Sequence, residues 1–261
     1  MGKIYMIGAQ KGGVAKTVTV FNLAYCLAKL GKKVLAVDLD SQANLSTCYG
    51  VDKNEKTNDT IGHLMMSVIE NERLPKKERY IKHKEGVDFI AASLYLSVVD
   101  AKLKLEVGAE QILSEVLEPL RNEYDYILID TCPSLGTLTI NALAVADEVI
   151  IPVNPQLLAM MGLQDFLSTY AKIKRRINPS LKIAGILLTM CESRTTLCKV
   201  LTEEVKETFY EKIKVFESQI PNTIKVGESV YYGKTIVEYS PKSSASIAYK
   251  KFAKELIANE E

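Results

Sequence analysis

Lys16 and Thr17 are the residues whose types and spacing say most about chemistry. They close the stretch Lys3-Ile-Tyr-Met-Ile-Gly-Ala-Gln-Lys-Gly-Gly-Val-Ala-Lys-Thr17, in which a short apolar run, Ile4–Ile7, leads straight into a glycine-containing loop. A helical pattern begins at Thr17. Strand, glycine loop, Lys-Thr and helix is the order a phosphate-binding loop requires. Backbone N–H groups and the helix N-terminus face the phosphates, the lysine supplies a point charge, and the hydroxyl reaches a metal ion. At this spacing Lys16 is expected to reach β/γ-phosphate oxygens and Thr17 to ligate Mg2+. The usual pattern is Gly-x-x-x-x-Gly-Lys-[Ser/Thr]. Here Gln10 and Ala15 occupy the two glycine places, and an additional lysine, Lys11, precedes the pair Gly12-Gly13.

Two further runs end in acids. Val34–Val37 flows into Asp38-Leu-Asp-Ser-Gln42, and Tyr126–Ile129 ends at Asp130. A hydrophobic strand tipped by acids places them at the carboxyl edge of a sheet, where open α/β folds bind ligands. Asp130 suits a carboxylate holding the shell of Mg2+, usually through water. A lone aspartate after a strand more often caps a helix; the phosphate loop favours the metal role here. Asp40 is expected to orient or activate the attacking water. Asp38 is the alternative for that task, or a metal-shell and packing residue.

The elements that must position these groups alternate along the chain. Helical patterns run over Thr17–Leu30, Thr60–Ile69, Leu94–Leu105, Glu110–Asn122, Leu135–Ala146, Met160–Ile177, Thr195–Phe209 and Ser244–Asn259. Further strands are expected at Val87–Ala91, Glu148–Val153, Leu181–Thr189 and Lys214–Gln219. The charged run Glu70–Glu85 reads as a solvated loop. Strands apolar on both faces, alternating with helices, predict an α/β fold with a mostly parallel central sheet covered by helices on both sides. One domain spanning 1–261 is expected, with no linker.

Composition narrows the function classes. In 261 residues, 47% are hydrophobic and 25% charged, and the net charge is +1. That argues against nucleic-acid binding by bulk charge but leaves room for a local basic patch. The five cysteines form no Cys-x-x-Cys pair and are expected to be reduced thiols. With no signal peptide and no spanning run, a cytoplasmic protein is expected.

Three segments together resemble the motifs of the ParA/MinD ATPases, whose deviant Walker A loop carries a second, signature lysine: Lys11-Gly-Gly-Val-Ala-Lys-Thr17, Asp38-Leu-Asp-Ser-Gln42 and Ile129-Asp-Thr-Cys-Pro-Ser-Leu-Gly136. The resemblance continues through Ile151-Pro-Val153, Leu188-Thr-Met190, Ser193-Arg-Thr195, Ile220-Pro221, Glu228, Tyr232-Gly-Lys234 and Glu238-Tyr-Ser-Pro-Lys242, and so covers the whole chain. The later segments are similar to the ParA/Soj partition branch rather than MinD. The resemblance implies a single-domain P-loop NTPase that hydrolyses ATP to ADP and phosphate with Mg2+, without a preceding helix-turn-helix domain. It implies that Lys11 reaches across an ATP-sandwich homodimer, with Gly12 at the subunit contact, and that Asp40 supports hydrolysis. The nucleotide would lie against Gly12, Gly13, Val14, Ala15, Lys16, Thr17 and Val18, with Pro221 and the backbone near Thr223 along the adenine. Arg194 and Lys225 fall where such proteins grip DNA phosphates without sequence preference.

By the same resemblance, a ParB-like centromere-binding protein would stimulate hydrolysis, and the protein would be nucleoid-associated. This chain departs from the family at Ala15, where glycine is usual, and at Val18, where threonine is. Thr223 replaces the common asparagine and Lys225 the common arginine. The alternative reading is a MinD-like membrane-cycling regulator, which requires a basic amphipathic C-terminal anchor. The helix Ile247–Ile257 is amphipathic and is expected to pack on the body instead, so no membrane contact is expected. An iron–sulfur reductase, which needs paired cysteines, and a binding protein that has lost hydrolysis are the remaining readings.

Overall fold

Strands with β-branched and aliphatic residues on both faces form the centre of the molecule, seen in a computed structural model that describes residues 1–52, 59–156, 159–192, 195–209 and 212–260. In chain order the elements are β1 (Lys3–Ile7), α1 (Lys16–Lys29), β2 (Val34–Leu39), α2 (Asn44–Cys48), α3 (Ile61–Ile69), α4 (Lys77–Tyr80), β3 (Ile81–Lys84), β4 (Val87–Ile90), α5 (Leu96–Leu103), α6 (Ile112–Leu117) and β5 (Tyr126–Thr131). There follow α7 (Thr137–Val145), β6 (Glu148–Val153), α8 (Ala159–Arg176), β7 (Lys182–Cys191), α9 (Thr196–Phe209), β8 (Val215–Pro221), α10 (Ile224–Tyr231), α11 (Ile236–Tyr239) and α12 (Ser244–Ala258).

The strands make one eight-stranded sheet in the order β3-β4-β2-β5-β1-β6-β7-β8. All neighbours are parallel except β3 and β4. Side chains alternate across it. Ile4, Met6, Leu35, Val37, Ile127 and Ile129 enter one core with α3, α5, α6, α7 and α8. Tyr5, Ile7, Val34, Ala36, Tyr126 and Leu128 enter the other with α1 and α12. The α/β expectation therefore holds, with both faces of the sheet dry as a parallel sheet demands.

The run Glu70–Glu85, expected as a loop, instead contains α4 and the edge strand β3, which pairs antiparallel with β4. Its charges Lys82, His83 and Lys84 do not mark a loop. An edge strand tolerates them because only one side of it is hydrogen-bonded and its faces are partly wet. Among the described residues no helix is long and apolar enough to cross a membrane.

Candidate functional site

The order of the strands assembles the site. After β1 the chain crosses over through α1 to β2, leaving a gap that β5 fills, so β2, β5 and β1 are consecutive in the sheet. Their carboxyl ends carry Asp38 and Asp40, Asp130, and the phosphate loop. In register, Asp130 stands beside Ile7 on one side and Asp38 on the other. Together they bound a cleft of about 460 Å³, lined by Gly12, Gly13, Ala15, Lys16, Thr17 and Val18 of the loop, by Asp40 and Thr131 at strand ends, and by Val230 of α10.

Two loop residues are left-handed. Gly13 has φ +71°, and a side chain there would meet open space, so the need for glycine at this position is conformational. Ala15, directly before α1, has φ 60° and ψ 32°. Its methyl group therefore sits in the region that L-residues avoid, at a cost of about 1 kcal/mol relative to glycine. Buried Val14 anchors the bend, its carbonyl accepting a 3.1 Å hydrogen bond from Thr189 Oγ1 on β7. Lys16 is buried and folds back, its Nζ donating to the Lys11 carbonyl at 3.1 Å. Burial lowers the pKa of its ammonium group, opposed by the nearby charges of Asp130, Cys132 and Asp40.

The three acids differ in how they are held. Asp38 Oδ2 accepts from both the amide and the hydroxyl of Ser46, at 2.8 and 2.7 Å, and Oδ1 from the Asp40 amide at 3.2 Å. It is therefore a structural acceptor, tying β2 to α2, rather than an open metal ligand. Burial pushes its pKa up to about 6, even against those hydrogen bonds. Asp40 accepts from the Gln42 amide at 2.9 Å through Oδ1, and lines the cleft with its other oxygen unengaged among the described residues. Asp130 is fully buried, and neither of its carboxylate oxygens has a hydrogen-bond partner among the described residues. Burial first, and the neighbouring Asp38 charge second, raise its pKa well above the usual carboxylate range. The nearby Thr17 hydroxyl and Lys16 ammonium oppose that rise. A buried, unpartnered carboxylate beside a threonine hydroxyl and a lysine is the donor set that a divalent cation with its water shell fits.

Other expected residues lie further out. Lys11 is half-buried, with its ammonium group engaged by no partner among the described residues; with Val14 it lines a small hollow against Pro152 and Leu163. A side chain at Gly12 would meet only Pro133 among the described residues, its Cβ at 3.7 Å and Cγ at 3.9 Å, both ordinary contacts that do not forbid one. Pro221 and Thr223 are not among the lining of the cleft. Thr223 caps α10, its side chain accepting from the Lys225 amide. Between them, Asn222 lines a separate cavity of about 180 Å³ with Asn154, Met190 and Cys198. Lys225 is exposed, with Nζ 3.4 Å from Ser240 Oγ. Arg194 lies outside the described residues.

Three supporting residues carry no role assigned from the sequence. Ser46 holds Asp38 and also accepts from the Ala92 amide, joining β2 to the end of β4. Thr189 holds the loop. Asn22, a fully buried amide on α1, donates to the Val18 carbonyl and accepts from the Ile236 amide, so that α11 is fixed against α1. The one available signal was a polar residue inside the apolar stripe of α1.

A glycine loop opening a helix, flanked by acid-tipped parallel strands in a doubly covered sheet, defines a P-loop nucleotide-binding protein. Comparison with known proteins narrows the class. The AAA domain family matches residues 2–183. The chain is 38% identical to the sporulation initiation inhibitor protein Soj of Bacillus subtilis, over 99% of this chain and 100% of that protein. It is 37% identical to the chromosome partitioning protein ParA of Myxococcus xanthus, over 98% and 88%. Among solved structures, cobyrinic acid a,c-diamide synthase from Mycobacterium smegmatis with bound ADP and magnesium superposes with a TM-score of 0.85 at 31% identity, covering 100% of this chain and 96% of that one. The chain belongs to the ParA/Soj-type partition ATPases.

Proposed function

We propose that this protein binds ATP with Mg2+ in the cleft, hydrolyses it to ADP and phosphate, and uses the cycle to segregate a plasmid, chromosome or mobile element. The observation that carries the reading is Asp130, an acid buried beside Thr17 and Lys16 whose carboxylate oxygens have no hydrogen-bond partner among the described residues. Leaving such a group unsatisfied costs stability, and a site that gains a cation on binding gives it a purpose. Thr17 and Asp130 would hold Mg2+, which neutralises charge on the phosphate oxygens. Lys16 leaves the Lys11 carbonyl to meet the phosphates. Asp40, with an oxygen open to the cleft, accepts the hydrogen bond of the attacking water.

The ammonium of Lys11, engaged by no partner among the described residues, and the spare room at Gly12 support a contact made by a second subunit, closing an ATP-sandwich homodimer. A constraint to glycine there would come from that partner. Lys225, exposed on α10, and Arg194 are the residues proposed to grip DNA phosphates, with a ParB-like protein stimulating hydrolysis. The protein would then act in the cytoplasm on the nucleoid. α12 buries Ala245, Tyr249, Phe252, Ala253 and Leu256 against the sheet, so its apolar face is not free to enter a bilayer. That favours DNA over a membrane as the surface on which the ATPase cycles.

The test is DNA binding by wild type, Lys11→Ala and Arg194→Ala proteins with ATP and with ADP. ATP-dependent binding lost in both variants is expected. Binding that ignores the nucleotide would sever the proposed link between dimer and DNA.

A further inference from the structure

Position 15 is where this chain breaks its family's glycine pattern, and its backbone is left-handed all the same. Something outside the loop must hold it there. β7 does not touch β1, because β6 lies between them. The loop nevertheless reaches over the end of β6, where Val14 shares a hollow with Ile151, Pro152 and Val153. Thr189, fully buried two residues before the end of β7, meets the loop from below and donates 3.1 Å to the Val14 carbonyl.

That carbonyl and the Ala15 N–H belong to one planar trans peptide, so they point in opposite directions. With the oxygen turned inward onto Thr189, the N–H is turned outward on the side of the cleft that Ala15 lines. No hydrogen bond engages it among the described residues. Rotating Ala15 to a negative φ would swing the same peptide plane and break the Thr189 contact. The hydroxyl therefore opposes the relaxation that an alanine, unlike a glycine, favours.

We propose that Thr189 is a positioning residue: its hydroxyl locks the Val14–Ala15 peptide so that the Ala15 N–H faces the nucleotide phosphates, and this lock is what permits alanine at position 15. The inference rests on the reading of this loop as the phosphate site.

The experiment is a double-mutant cycle on affinity for ADP with Mg2+, measured by calorimetry in wild type, Thr189→Ser, Thr189→Val, Ala15→Gly and Thr189→Val/Ala15→Gly proteins, each checked for folding by thermal melt. Thr189→Val keeps the shape and removes the donor, and should weaken binding by about tenfold, the equilibrium value of one well-made buried hydrogen bond. Thr189→Ser should stay within about twofold of wild type, since it keeps the hydroxyl. In the Ala15→Gly background the loss from Thr189→Val should shrink to about twofold, because glycine holds a positive φ without help. An equal loss in both backgrounds, or a Thr189→Ser protein as weak as Thr189→Val, overturns the lock while leaving the phosphate site standing. Wild-type protein that binds no nucleotide overturns the phosphate site and the lock together.

Discussion

At the edge of the sheet where the parallel strands begin, Arg121 pairs with Asp147 at 2.5 Å and Glu118 at 3.3 Å, and Lys3 lies between Glu148 and Glu260. Glu260 also accepts from the hydroxyls of Tyr5 and Tyr126. Lys3, Arg121, Asp147, Glu148 and Glu260 line a hollow of about 600 Å³, larger than the cleft of about 460 Å³ at the phosphate loop. At the edge where the strands end, Asp130 has no hydrogen-bond partner among the described residues, Lys16 is turned onto a backbone carbonyl, and Ala15 is strained. At the larger cavity Arg121 and Lys3 are paired with acids; the smaller one holds charge in reserve. Volume alone points to the end away from the proposed site. A buried acid without a hydrogen-bond partner among the described residues points to the proposed site, where a ligand would offset its cost.

Breaking the reserved end should have the largest effects. Asp40→Ala should cut ATP turnover by at least about a hundredfold, the range of a general base or water-orienting group. Affinity for ADP should change by less than about threefold, since Asp40 is not the phosphate-holding group; phosphate release and calorimetry measure the two. Unchanged turnover would remove Asp40 from the mechanism. Asp130→Asn should abolish the Mg2+-dependent part of nucleotide affinity and yet stabilise the nucleotide-free protein by about 1–3 kcal/mol, because it removes a buried acid that the fold holds above its ordinary pKa while keeping the shape. Arg121→Ala at the matched end should do the reverse. It leaves Asp147 without its guanidinium and costs about 2 kcal/mol with no change in nucleotide affinity. Urea melts that moved both variants in the same direction would erase the contrast between the two edges.

The same contrast has a pH dependence. Burial holds Asp38 at about 6, and burial together with the Asp38 charge holds Asp130 well above the usual carboxylate range. In the unfolded chain both ionise near 4, so the folded state binds these protons more tightly. The stability they contribute is fully present below about pH 4 and is lost as pH rises through about 6, and further for Asp130. Nucleotide-free wild type should therefore lose more stability between pH 4.5 and 7.5 than Asp130→Asn in paired urea melts. Equal losses would mean that Asp130 is already satisfied in solution.

Much of the reserved end was legible in the sequence, since hydrophobic runs ending in acids and a glycine loop ending in Lys16-Thr17 report position and chemistry together. What escaped was carried by contacts distant along the chain. Ser46 looks like an ordinary polar residue, and Thr189, though inside the Leu188-Thr-Met190 segment, has no role until the fold sets the two against Asp38 and Val14. The φ of Ala15 is equally silent in sequence, as is the absence of a partner for Asp130. α10 was missed because it is eight residues long and only the pair Val226 and Val230 packs on the core, too short an apolar stripe to read. β3 was hidden by charges that an edge strand accepts.

The smallest effect belongs to the matched end. Glu260→Gln removes a carboxylate that accepts from Tyr5 at 2.5 Å and Tyr126 at 2.8 Å, while the amide retains one acceptor oxygen. Those two hydroxyls lie near the start of β1 and β5, and burial with the Glu260 contact raises the pKa of both well beyond the ordinary phenol range. Neither tyrosine titrates near neutrality, so the loss is that of a charge-assisted acceptor, about 1 kcal/mol by urea melt. Along β5 from Tyr126 to Asp130 is about 13 Å at the usual rise per residue. At that separation, with no shared partner, Glu260→Gln and Asp130→Asn should add to within about 0.5 kcal/mol, and ADP affinity should not respond to Glu260→Gln. Coupling well beyond that value would mean that the two edges communicate along β1 and β5, and that the matched charges belong to the nucleotide cycle after all.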